Sequence, residues 1–240
     1  MYTVYLSPSN QTDNMYAGVP GVSECDNCYK IAKEIQLRGG RFGSEIRFIV
    51  PDKFSGMDSR IAGANGCNAD LYVAIHTNAF NGTVTGTRTF YPPNAPLSNE
   101  IARLCAVYLG RFTGSGTMAE QRFYELTNTV MPATLVEVDF HDNPGRAQWL
   151  VNNTRLIAEC FLKAICKYLN VQYFEGGAQP MSKYFVDVPK SAYYSTAVDK
   201  IHELGLMNGV GDNRFEPTKP ITRGDLALVM AKLYDLVSKK

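Results

Sequence analysis

The run Leu71-Tyr72-Val73-Ala74-Ile75, apolar at every position, constrains the fold more than any other feature of this chain. A strand with one wet face alternates polar and apolar side chains, whereas an uninterrupted apolar strand must be covered on both sides, as parallel strands inside α/β domains are. A second run, Ala133-Thr134-Leu135-Val136, has the same character. Each ends on one reactive side chain, His76 and Glu137. Ligands gather at the carboxyl ends of strands in open α/β sheets, which makes these two residues candidates for a shared site. Imidazole is the commonest neutral metal ligand, and a carboxylate beside a water is a standard general base. The pair therefore points to metal-assisted hydrolysis.

The rest of residues 1–171 alternates strands and helices. Strands are expected near 2–6, 45–50, 71–76, 86–91 and 133–139, and helices near 24–38, 57–66, 98–111 and 144–169. The reading is α/β, with a mainly parallel sheet flanked by helices. Ser23 reads as a helix N-cap, with Cys28, Ile31, Ala32 and Ile35 on one face and Gly39-Gly40 as the stop. Glu24 then lies in the first turn, where the helix dipole favours a carboxylate and where it can also face a site above the sheet. The stretch from Gly114 to Met131 has no clear periodicity and is expected to wall the cleft. The stripe Leu156, Ile157, Cys160, Phe161, Ala164, Ile165 and Tyr168 reads as core.

With 240 residues and 45% hydrophobic content, the chain can bury a full core and has room for a second domain. A net charge of +1 argues against bulk electrostatic binding of nucleic acid. No membrane-length apolar span or signal-peptide pattern is present, so the expectation is synthesis in the cytoplasm without a signal peptide. The six cysteines include a lone Cys25-x-x-Cys28, which without a second pair reads as buried free thiols.

The order Ser7-Pro8-Ser9-Asn10-Gln11, Glu24, Ile75-His76-Thr77-Asn78-Ala79, Leu135-Val136-Glu137-Val138 and Asp142-Asn143-Pro144 resembles the zinc-dependent N-acetylmuramoyl-L-alanine amidases of the Amidase_3 class. The resemblance covers residues 1–170. It implies cleavage of the amide between N-acetylmuramic acid and the first L-alanine of the peptidoglycan stem, with Zn2+ as cofactor, Glu24 and His76 as metal ligands and Glu137 as acid/base. The family usually carries a histidine just after the first strand, where this chain has Ser9-Asn10-Gln11-Thr12. Gln11 is favoured over Asn10 as the replacement ligand for its longer reach, although a carboxamide is a poorer zinc donor than imidazole. His141, near the same sheet edge as Glu137, is a candidate for metal, substrate or oxyanion contact, or alternatively a cap of the turn before Pro144.

Glu175-Gly176-Gly177-Ala178-Gln179-Pro180-Met181-Ser182 reads as linker, placed over 172–184. Beyond it, Phe185-Val186-Asp187-Val188-Pro189, a helix with Ala197, Ile201 and Leu204, Gly205-Leu206-Met207-Asn208-Gly209, and Ile221-Thr222-Arg223-Gly224-Asp225 resemble an S-layer homology module over 185–240. It reads as a small all-α unit, with Thr222 capping a second helix striped by Leu226, Val229, Met230 and Leu233. The resemblance implies binding of secondary cell-wall polysaccharide, with Asp187, Thr222 and Arg223 as candidate contacts. Arg223 sits against the dipole of its own helix, which is compatible with a ligand role, a merely solvated charge being the alternative. His202 reads as an ordinary helix residue.

The resulting expectation is a peptidoglycan hydrolase directed to the wall by its C-terminal module, acting after release as a phage lysin does. The alternative is a catalytically impaired wall-binding or surface-layer protein. A single such module has a marginal core, so self-association, as a trimer, is expected through this segment, with packing on the amidase domain as the alternative.

Overall fold

The computed structural model describes residues 1–39, 45–173, 181–190 and 192–238, and the chain divides into two units, Met1–Gly177 and Ala178–Lys240. Of the expected linker, residues 174–180 lie outside the described residues, as does Gly40 at the expected helix stop.

The first unit contains strands β1 Tyr2–Pro8, β2 Ile46–Ile49, β3 Leu71–Asn78, β4 Thr87–Tyr91, β5 Gly116–Glu120 and β6 Ala133–Phe140, and helices α1 Glu24–Gly39, α2 Met57–Gly66, α3 Pro96–Thr113, α4 Tyr124–Thr127, α5 Pro144–Asn152 and α6 Thr154–Tyr168. The strands form one sheet in the order β2-β1-β3-β6-β4-β5. Four pairings are parallel and that of β4 with β6 is antiparallel, so the sheet is mixed but mainly parallel. The two apolar runs lie side by side at its centre, and Leu71 to Ile75 are completely buried.

Side chains alternate between the faces of a strand, and each face has its own cover. Leu6, Val73, Ile75, Val136 and Val138 pack on one side against α1, α3 and α6, through residues such as Ile31, Ile101 and Phe161. Tyr5, Tyr72, Ala74, Ala133 and Leu135 pack on the other against Ala64 of α2 and Leu126 of α4. By that alternation His76 and Glu137 belong to the second face.

Local chemistry sets the helix starts. Ser23 and Asp26 cap α1 reciprocally, the Asp26 amide donating to Ser23 Oγ at 3.2 Å and the Ser23 amide to Asp26 Oδ2 at 3.0 Å. Asn143 caps α5 by accepting from the Gly145 and Arg146 amides, with Pro144 at the first helical position.

Three elements differ from expectation. β5 is an extra, largely exposed edge strand without an apolar alternation, and its Gly116 fits because an added Cβ would collide with the Ala106 carbonyl of α3. The Gly114–Met131 stretch also holds α4, a single short turn. The helix expected over 144–169 breaks at Asn153, whose φ is −116° and whose side-chain amide bonds the Trp149 carbonyl at 2.8 Å. All six cysteines are free thiols.

The second unit contains α7 Ser195–Glu203 and α8 Arg223–Ser238, with a small core of Phe185, Val188 and, from α7, Val198. His202 packs its ring against Tyr184 and Phe185. Gly209 turns with φ +79°, a position where a side chain would meet the Arg214 carbonyl. Thr222 caps α8, its hydroxyl accepting from the Asp225 amide at 3.1 Å. No residue of α8 is buried, so the stripe Leu226, Val229, Met230 and Leu233 is not a core; so short a unit has too few apolar side chains to cover it. Among the described residues no helix is long and apolar enough to cross a membrane.

Candidate active site

Glu24 opens α1 and is buried to 1% exposure at the carboxyl edge of the sheet. Its Oε1 lies 3.0 Å from His76 Nδ1 and accepts the Thr77 amide at 3.3 Å, while Oε2 accepts the Asn14 side-chain amide at 2.7 Å. Burial alone would raise this carboxyl; the contacts with His76, Asn14 and Ser9 outweigh it and hold Glu24 below the usual carboxylate range.

His76 projects from β3 between two carboxylates. Opposite Glu24, its Nε2 lies 3.6 Å from Oε1 of Glu125, a residue of α4. Burial would disfavour the imidazolium, but contacts with Glu125 and Glu24 push its pKa up to about 10 in the absence of any ion.

Glu137 stands directly beside His76 in the register of β3 with β6. Its Oε2 is buried and has no hydrogen-bond partner among the described residues. Burial raises its carboxyl to about 7, with the His76 charge opposing and the Glu24 and Glu125 charges adding to the rise. A carboxyl that exchanges a proton near neutrality suits acid/base work.

The other expected residues divide clearly. The Gln11 carboxamide oxygen accepts from the Asn14 amide at 2.6 Å, and that same nitrogen donates to Glu24, so Gln11 joins the cluster through Asn14. Asn10 turns away and donates to the Ser55 carbonyl at 3.2 Å. His141 is not brought to the cluster. Its Nδ1 lies 3.0 Å from Thr77 Oγ1 and its ring stacks on Tyr16 at 5.3 Å between centroids. Thr77 points to the opposite face from His76, so His141 braces the end of β3 from the other side.

Two residues escaped the sequence reading. Asn14 sits in the polar run after β1, where composition alone distinguishes no member. Glu125 comes from the stretch without periodicity. The expectation that this stretch walls the cleft was the available signal, but it named no residue.

Among the described residues no three His, Cys, Asp or Glu side chains converge as a complete metal cluster. The donors nonetheless suit zinc. The 3.0 Å separation of His76 Nδ1 and Glu24 Oε1 is close to the roughly 3.3 Å spanned by two donors on one tetrahedral ion. The Gln11 carboxamide oxygen lies next to this pair through Asn14, and Oε2 of Glu137 has no hydrogen-bond partner among the described residues.

The family profile described as N-acetylmuramoyl-L-alanine amidase matches residues 11–167, well over half of the chain. The chain belongs to that amidase family. The S-layer homology domain profile matches residues 184–227. The amidase is 25% identical to the endolysin of Bacillus phage SPP1 over 215 residues, which is 85% of this chain and 78% of the relative. It is 30% identical to the uncharacterized protein YqiI of Bacillus subtilis (strain 168) over 154 residues, 62% of this chain and 74% of that one. Among solved structures, the N-acetylmuramoyl-L-alanine amidase from Clostridium difficile 630 shares its fold at a TM-score of 0.65 and 24% identity, over 72% of this chain and 98% of that chain.

In the S-layer homology unit of the amidase the three expected contacts fare differently. Asp187 is committed to the backbone, its two oxygens accepting the Phe215 and Glu216 amides at 2.8 Å each. Thr222 is the cap of α8, bonded to Asp225. Arg223 is exposed and makes no ion pair among the described residues.

Proposed function

We propose that this amidase hydrolyses the bond between N-acetylmuramic acid and L-alanine in peptidoglycan, with Zn2+ as cofactor. The observation that carries the reading is Glu137, an unpartnered carboxylate raised to about 7 and registered beside the His76–Glu24 pair. Glu24 and His76 would hold the ion, with Gln11 or Asn14 as the weaker donor. When bound, zinc supplies a Lewis acid for the scissile carbonyl and lowers the pKa of a water.

Glu137 takes the proton of the attacking water. The same carboxyl then gives a proton to the departing L-alanine nitrogen, which must leave as a neutral amine because an amide anion is too basic. The test is the appearance of new L-alanine amino termini in purified walls, abolished by a chelator and restored by Zn2+. Walls left intact by the zinc-loaded protein would favour the impaired wall-binding alternative.

The second unit is read as the wall anchor, binding secondary cell-wall polysaccharide, with Arg223, exposed and without an ion pair among the described residues, as a cation available to an anionic polymer. The uncovered apolar residues of α8 support self-association through this unit, which we read as a trimer. Similarity to a phage endolysin along most of the chain supports a lysin role.

A further inference from the structure

The two carboxylates at His76 occupy opposite edges of its ring, Glu24 at 3.0 Å from Nδ1 and Glu125 at 3.6 Å from Nε2. One ion cannot be shared by both, since the two nitrogens direct their lone pairs away from each other. One edge must take the metal and the other must donate its N–H.

The surroundings of the two carboxylates are unequal. Glu125 is buried at 3% exposure and its Oε2 already accepts the Tyr72 hydroxyl at 2.8 Å, with Ser7 Oγ at 3.5 Å. The Arg60 guanidinium, bonded to the Pro8 carbonyl and close to Ser7, balances the charge from the same side. Oε1 of Glu125 is left facing His76. Glu24, by contrast, lies among the carboxamides of Asn14 and Gln11.

We propose that Glu125 is a positioning residue: it takes the Nε2–H of His76, so that Nδ1, on the Glu24 edge, is the nitrogen presented to the metal. Metal-bound histidines commonly donate their second N–H to a carboxylate, which fixes the ring and raises its basicity. The 3.6 Å contact is longer than a made hydrogen bond, and a ring movement of about half an ångström closes it. Tyr72 holds Glu125 in turn. The proposal rests on the zinc reading above, and its test separates the two.

Protein labelled with 15N-histidine and loaded with 113Cd2+ reports the bound nitrogen through the metal–nitrogen coupling; the expected result is coupling at Nδ1 of His76. Zinc affinity, measured by competition with a chelating dye, is expected to fall roughly 10–100-fold in Glu125→Ala and less in Glu125→Gln, which keeps an acceptor oxygen. Circular dichroism confirms the fold of each variant, and the coupling experiment needs no variant. Coupling at Nε2, or a folded Glu125→Ala with wild-type affinity, overturns the role of Glu125 while leaving the zinc reading in place. Wild-type protein that takes up neither ion overturns both.

Discussion

His76 and Glu137 are registered neighbours on adjacent parallel strands, at the point where the pairing of β3 and β6 becomes irregular. Each strand delivers one functional group to the same face of the sheet, so the distance between them is set by backbone hydrogen bonding and not by a loop.

Replacing Glu137 with Gln keeps the shape and removes the proton acceptor. Amide cleavage on purified wall should drop about 10²–10⁴-fold with metal uptake unchanged. The wild-type rate should fall as acid protonates Glu137, with a midpoint at or below about 7, because a bound cation lowers it further. Residual cleavage at the native rate would remove Glu137 from the mechanism.

The same substitution should stabilise the metal-free protein, with a defined sign in pH. The Glu137 carboxyl is raised from its ordinary 4.5 to about 7 in the folded chain, so ionising it opposes folding. That cost is absent below about pH 4.5, grows towards 7 and is complete above it. Glu137→Gln should therefore unfold at higher temperature than wild type at pH 8, by no more than about 3 kcal/mol, and match it at pH 4. Thermal scans at the two pH values read this directly.

Asn14→Ala removes the donor that links Glu24 to Gln11. A hydrogen bond to a charged group contributes about 1.5–3 kcal/mol, so zinc affinity should weaken about tenfold or more. Gln11→His supplies the imidazole that the family usually has nearby and should tighten binding. Dye competition measures both.

Arg223→Ala should weaken retention on purified wall bearing its secondary polysaccharide while leaving the rate on a soluble muropeptide unchanged. Unaltered retention would assign Arg223 to solvent only.

Self-association through α8 predicts that the double change Met230→Glu and Leu233→Glu lowers the mass seen by light scattering without unfolding the catalytic unit. A wild-type chain that stays monomeric at working concentration removes the trimer.

The sheet was legible because burial on both faces leaves a plain mark: Leu71 to Ile75 can be nothing but interior. Glu24, His76 and Glu137 were legible because each follows a strong local signal, a helix cap or an apolar strand. Glu125 was not, because a one-turn helix has no period to recognise and its placement depends on Tyr72 and Arg60, which are far away in sequence. His141 misled for the opposite reason. The irregular pairing of β3 with β6 gives β6 an extra residue just before it, so proximity in sequence to Glu137 did not translate into a shared face.

Glu24 arrives on a helix packed against one side of the sheet and Glu125 on a helix packed against the other, and they meet only at the ring of His76. The centre is thus complete only when both helical layers are docked on the sheet, so a substitution that loosens either layer should be felt at the same imidazole.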